Sequence, residues 1–221
     1  MRKTMVVAPH PDDETLGCGG TILKHKAMGD EVYWLIISSI PVQAGNELDR
    51  SRRNDEIKLV QERYQFSGVY RLEVPAAQLD TLPIGELVTR ISNVFKEVLP
   101  HTIYVPNRSD VHTDHKYVFD AVISCTKWFR YPSVRRVLAY ETLSETEFSL
   151  NPDLPGFRPN VFVDISSYLD QKVGIMNIYA SEVSAFPFPR SEKAIRSLAA
   201  VRGATAGCEA AEAFMLLKEI L

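Results

Sequence analysis

Short apolar runs rich in β-branched and aromatic residues alternate along this chain with segments of helical period, and this alternation constrains the fold more than any other feature. Residues 4–8 (TMVVA), 31–39 (EVYWLIISS), 69–74, 102–105, 134–140 and 161–165 read as strands. Residues 16–28, 51–64, 85–99, 115–129, 167–179, 191–202 and 209–220 read as helices. The strands are apolar on both faces rather than alternating, the pattern of a parallel sheet covered by helices on both sides. The order predicts an α/β architecture: a three-layer sandwich around a mostly parallel sheet, with residues 1–221 as a single domain. In such sheets ligands sit outside the carboxyl ends of the strands, where the winding direction reverses.

The 25 Lys and Arg against 28 Asp and Glu leave a net charge of −3, without the basic excess of a nucleic-acid binder. The apolar run at 32–37 is far short of the ~18 residues that span a bilayer, so no membrane anchor is expected. The three cysteines Cys18, Cys125 and Cys208 are widely spaced and form no CxxC pair, which argues against a disulfide framework and fits a cytoplasmic setting.

Two clusters carry the chemistry. The first, Pro9-His10-Pro11-Asp12-Asp13-Glu14, follows the first strand directly. A His nitrogen and a carboxylate three residues apart can reach one zinc ion, which leaves the intervening Asp12 available as a base. A solvated acidic turn capping the next helix reads the same residues equally well. The second, Asp110-Val111-His112-Thr113-Asp114-His115, follows the fourth strand after a short loop. Two such clusters at the ends of strands that can be neighbours favour a shared metal site over two unrelated polar loops.

VVAPHPDDETLGCGGTI and NRSDVHTDHKYV, with the later stretches ETLSETEF, FRPNVFVDIS and RGATAGCEAAEAF, resemble the LmbE/PIG-L family of zinc-dependent de-N-acetylases over most of the chain. The resemblance implies a Rossmann-like fold and Zn2+ held by His10, Asp13 and His115. It implies Asp12 as the general base toward a zinc-activated water. His112 would stabilise the oxyanion or protonate the amine, and Asp114 would orient His112 through a hydrogen bond that favours its charged form. The implied substrate is a small N-acetylated sugar or related amide.

Other residues have two readings. Glu14 is either an outer group holding His10 or a helix-start acid. Arg53 with Glu56 resembles an R-x-x-E element of the family that binds a substrate oxygen, or is a solvated pair. Asp80 either lines the substrate cleft or closes a turn, and Asp110 reads as an acid behind the metal ligands. Arg202 and Glu212 lie in family-like segments but could be structural. His25, between Lys24 and Lys26, reads as solvated, and His101 as a loop residue. Gly17-Cys18-Gly19-Gly20 marks tight packing or a ligand; it lacks the spacing of a phosphate cradle. The loops at 145–159 and 185–189 (AFPFP) are expected to serve as lids or homo-oligomer contacts. Two competing functions fit parts of the pattern: a receiver-like Mg2+ domain, which has no use for the second cluster, and a catalytically silent metal-binding partner protein.

Overall fold

The computed structural model describes residues 2–41 and 46–221. The first apolar run forms β1 (Lys3–Ala8), followed by α1 (Asp13–Ala27), β2 (Glu31–Ser39), α2 (Glu47–Tyr64) and β3 (Gly68–Pro75). After a single 3-10 turn come α3 (Ile84–Val98), β4 (Thr102–Pro106), α4 (Thr113–Ser124) and β5 (Arg136–Tyr140). The remainder is β6 (Val161–Asp164), α5 (Leu169–Met176), α6 (Glu192–Ala206) and β7 (Ala211–Glu219). All seven strands join one sheet of order β3-β2-β1-β4-β5-β7-β6.

Strands β3, β2, β1, β4 and β5 pair in parallel, and the winding reverses between β1 and β4. Both histidine clusters therefore leave the sheet at its switch point. Along β1 the pleat sends Met5 and Val7 to one core and Val6 and Ala8 to the other. Leu87, Ile91 and Phe95 of α3 and Val118 and Val122 of α4 close the first core. Ile22 of α1, Val60 of α2 and Val173 of α5 close the second. The mostly parallel three-layer α/β arrangement follows.

The last segment differs from its sequence pattern. Residues 209–220 read as a helix, but the chain forms β7, inserted antiparallel between β5 and β6. Ala, Glu, Leu, Met and Lys favour helix weakly, and the local preference gives way when two strands leave an unpaired edge between them. Ala211, Glu212, Ala213 and Phe214 are all buried, as a strand covered on both faces requires. Glu212 is built into the structure here. It accepts from the backbone N–H groups of Gly20 and Thr21 at 2.9 and 2.7 Å and pairs with buried Lys172 at 2.6 Å. Arg202 is likewise structural, with its guanidinium forked on Glu141.

The glycine run in α1 serves tight packing. A Cβ at Gly17 would stand 2.2 Å from the Tyr140 ring, and one at Gly20 would stand 2.6 Å from Ile165. Only glycine lets the helix lie this close to the sheet, which places its N-terminal residues against the end of β1.

Candidate active site

The chain leaves β1 through Pro9 and Pro11 and reaches Asp12 with φ at 135°. This backbone is strained for any residue with a side chain. The strain has a consequence: Asp12 occupies the N-cap position of α1 yet its side chain makes no capping bond. Acids at that position ordinarily cap the helix. Here the buried carboxylate turns to the cleft instead and meets Arg190 Nη1 at 3.2 Å. Burial and the charges of Asp13 and Glu182 push the Asp12 carboxyl well above the usual carboxylate range, against the pull of Arg190 and His10.

Asp13 sits between two imidazoles. Its Oδ2 lies 3.3 Å from His10 Nδ1 and 3.4 Å from His115 Nε2, and accepts the His10 backbone N–H at 2.8 Å. Each histidine is backed by a further acid on its other nitrogen. Asp110 accepts from His115 Nδ1 at 2.8 Å and Asp114 approaches His10 Nε2 at 3.1 Å. Asp110 is itself held by Asn107 and Thr146. Burial works against charge on all three central groups. It is outweighed: Asp114 and Asp13 raise His10 to about 9, Asp13 and Asp110 raise His115, and the two imidazoles hold Asp13 far below its usual range.

His10, Asp13 and His115 can each offer one donor atom, all within 4.8 Å of one another. These donors fit a divalent ion. The set is borderline N/O in character, as zinc prefers, and draws positive charge around a buried carboxylate. The acid behind each imidazole also fixes which nitrogen faces the centre.

His112 caps α4. The Asp114 backbone N–H donates to His112 Nδ1 at 3.1 Å, so the ring carries its proton on Nε2. The expected hydrogen bond from the Asp114 carboxylate to His112 is absent. That carboxylate instead holds His10 and accepts the Ala77 N–H at 2.8 Å. Burial and the neighbouring His10 charge lower the basicity of His112, against the pull of the Asp114 carboxylate.

Glu14 does not hold His10. Its carboxylate accepts from the Asp12 backbone N–H at 3.1 Å, from Thr15 at 2.6 Å and from Tyr179 at 2.8 Å, and burial raises it to about 7. Glu14 thus stabilises the strained turn. Arg53 lines the cleft, but its guanidinium is committed to the Pro11 carbonyl, Ser181, Glu182 and Glu56 and lies over the Tyr179 ring. Asp80 is exposed in the 3-10 turn and does not line the cleft; the neighbouring Ala76 does. His25 is half-buried rather than solvated, bonded to Asp30 and Tyr104.

The cavity over the donor set measures about 300 Å3 and is lined by His10, Asp12, Asp13, His112, Arg53, Thr142, Glu145, Glu182 and Arg190. Sequence reasoning missed Arg190, Glu182 and Glu145. The two loops singled out for their prolines and aromatics run beside them. Nothing local marks which charged residue in such a loop turns inward.

A doubly wound α/β sheet with a His-Asp-His donor set at its switch point defines the class of protein. A family model described as GlcNAc-PI de-N-acetylase (PIG-L) matches residues 5–126, and the chain belongs to that family. It is 25% identical to a diacetylchitobiose deacetylase of Thermococcus kodakarensis, covering 96% of this chain and 82% of the relative. The fold resembles that of N,N'-diacetylchitobiose deacetylase from Pyrococcus horikoshii, with TM-score 0.80, 19% identity and coverage of 98% and 84% of the two chains. It also resembles 4-carboxy-2-hydroxymuconate hydratase from Pseudomonas putida, with TM-score 0.73, 17% identity and coverage of 100% and 98%. The fold thus hosts more than one reaction, and the chemistry must be argued from the site. Family membership sets aside the receiver-like alternative.

Proposed function

We propose that the protein is a metal-dependent hydrolase that removes an N-acetyl group from a small amino sugar or related amide. The observation that carries this reading is the Asp12 carboxylate, withheld from helix capping and aimed into the cavity beside the His10, Asp13 and His115 donors. Those three residues would hold Zn2+. When bound, the ion supplies Lewis acidity toward the amide carbonyl and water.

The remaining work falls to the chain's own side chains. Asp12 accepts a proton at a carboxylate oxygen as the water oxygen adds to the amide carbon. His112 donates its Nε2–H toward the carbonyl oxygen as negative charge develops there, a stabilisation worth about 2.7–4 kcal/mol in comparable sites. When the C–N bond breaks, the proton on Asp12 passes to the leaving nitrogen. Asp110 and Asp114 keep the His115 and His10 rings in place, and Arg190 favours the ionised form of Asp12.

A cavity of about 300 Å3 lies at the small end of ligand pockets and suits one sugar-sized unit. Glu145 and Glu182 on its wall suit hydroxyl groups. The relatives named as diacetylchitobiose deacetylases support an N-acetylglucosamine-type substrate. The buried free thiols of Cys18 and Cys125 fit the reducing cytoplasm. No helix among the described residues is long and apolar enough to cross a membrane. The test is a hydrolysis screen of zinc-loaded protein against N-acetylated mono- and disaccharides, read as free amine. Release from at least one is expected. Full zinc occupancy without amine release from any of them would favour the silent partner protein.

A further inference from the structure

A second cavity of about 450 Å3 opens at the opposite edge of the sheet. Arg2 precedes β1, and Thr102 and Arg136 open β4 and β5, so this site lies at the amino ends of the strands. The six residues of β1 separate it from the catalytic edge by about 20 Å. The C-terminal turn of α1 supplies its rim through Lys24.

The lining is cationic. Arg2, Lys24 and Arg136 line the cavity with one acid, Asp30, which is engaged by the Arg2 backbone N–H and by His25, while Lys24 Nζ donates to the Asp164 carbonyl at 3.0 Å on the rim. Glu219 approaches Arg136 Nε only at 3.4 Å, outside good hydrogen-bond geometry, and that buried nitrogen has no hydrogen-bond partner. Thr21 is 2% exposed and lines the same cavity, and its hydroxyl has no partner either. A buried hydroxyl without a hydrogen-bond partner is costly in a folded protein unless something accepts from it, and the Arg136 Nε–H, ion-paired with Glu219 but not hydrogen-bonded, keeps donor capacity. The positive field is felt nearby: burial and then Arg2, Arg135 and Arg136 depress the basicity of His101. The rings of Tyr104 and Phe162 supply apolar wall to the same cavity.

We propose that this cavity binds a small organic anion of the phosphomonoester type. Its anionic group is held by Arg2, Lys24, Arg136 and the Thr21 hydroxyl, and its ring or chain lies against Tyr104 and Phe162. Cationic donors converging on one point match a multiply charged acceptor, and charge-assisted bonds are the strong ones. The site is independent of the hydrolase reading.

The probe is phenyl phosphate, titrated calorimetrically into the metal-loaded protein at low salt with inorganic phosphate in parallel. Saturable binding of phenyl phosphate is expected, tighter than that of inorganic phosphate. Arg136→Gln and Lys24→Met should each weaken it about tenfold or more, the scale of one charge-assisted bond. Thr21→Val, a near-isosteric change that spares the fold, should weaken it several-fold. His115→Ala, at the other edge of the sheet, should leave it intact. The assignment is overturned by absence of saturable binding, by binding unchanged in Thr21→Val and Lys24→Met, or by binding lost in His115→Ala. Equal affinity for the two probes overturns the apolar wall.

Discussion

The turn after β1 and the turn after β4 each deliver a histidine and an acid to one point, by opposite means. The first bends through Asp12 at φ 135° and is held by the buried Glu14 carboxylate and Tyr179. Such a backbone costs about 1–3 kcal/mol. The second is relaxed: His112 caps α4 in extended geometry, and Asp114 and His115 occupy ordinary helical positions. The side chain of His10 is 21% exposed, that of His115 only 1%. Strain is thus confined to the turn whose carboxylate is kept from capping, while the deeper candidate donor, His115, sits on an unstrained helix. The strained turn presents the Asp12 carboxylate beside two of the candidate donors, His10 and Asp13, and the relaxed turn adds the third, His115.

The sharpest way to break that division is to remove the relaxed ligand. His115→Ala should lose bound zinc almost entirely, a loss of affinity beyond the roughly 10–100-fold of removing an outer partner. Zinc content after dialysis measures it, and near-normal occupancy would show that the strained turn mounts the ion unaided. Next in size, Asp12→Asn should retain zinc and lower the rate by about 10²–10⁴-fold. Loss of zinc together with activity would make Asp12 a ligand. His112→Ala should likewise keep zinc and lose turnover, by about 10²–10³-fold. Stripping of zinc in that variant would move His112 into the alternative cluster it forms with His10 and Asp114.

The acids behind the ligands separate the two turns more finely. Asp110→Asn should weaken zinc binding by about 10–100-fold in a competition titration. Asp114→Asn should weaken it less, because His10 keeps its contact with Asp13 and is the more exposed ring. A larger loss from Asp114→Asn would make His10, rather than His115, the histidine on which zinc affinity depends more.

Glu14→Gln is the smallest change. It leaves the Asp12 N–H facing an amide nitrogen or unpaired, at about 1–3 kcal/mol. It also has a signature in pH. The folded Glu14 carboxyl stands at about 7 against an ordinary 4.5, so between these values the native state holds a proton that the unfolded chain has released. Stability of the metal-free protein from this group is fully present below 4.5 and is lost as pH rises through 7. Urea unfolding should show that decline in the parent and a flatter profile in Glu14→Gln. Identical slopes would mean that Glu14 does not titrate in the turn.

Much of this was written locally. Residues 4–8 and 31–39 are apolar on both faces because a central parallel strand touches helices on both sides, and that pattern survives in one dimension. The His-Pro-Asp-Asp-Glu cluster stands directly after a strand and the His-Thr-Asp-His cluster follows one after a short loop, so the donor types and their edge of the sheet were legible together. The mounting of Asp114 was not. Its position beside His112 suggests a side-chain partner there, but the helix turns the carboxylate to His10 and leaves the backbone N–H to meet His112. Glu14 is the same case: three buried donors converge on it from Asp12, Thr15 and Tyr179, the last 165 residues away.

The sequence by itself determined the alternation of strands and helices, the two clusters and the residue types that suit a metal and a base. Those are properties of neighbours along the chain, set by hydrophobic period and spacing. Only the tertiary structure decided that residues 211–219 form a strand, because their conformation depends on two edges built elsewhere. It alone brought Arg190 to Asp12 across 178 positions and turned Glu182 toward Arg53. The physical reason is the same in each case. A hydrogen-bond partner distant in sequence leaves no periodic trace, and helix propensity, worth tenths of a kcal/mol per residue, yields to sheet pairing and burial.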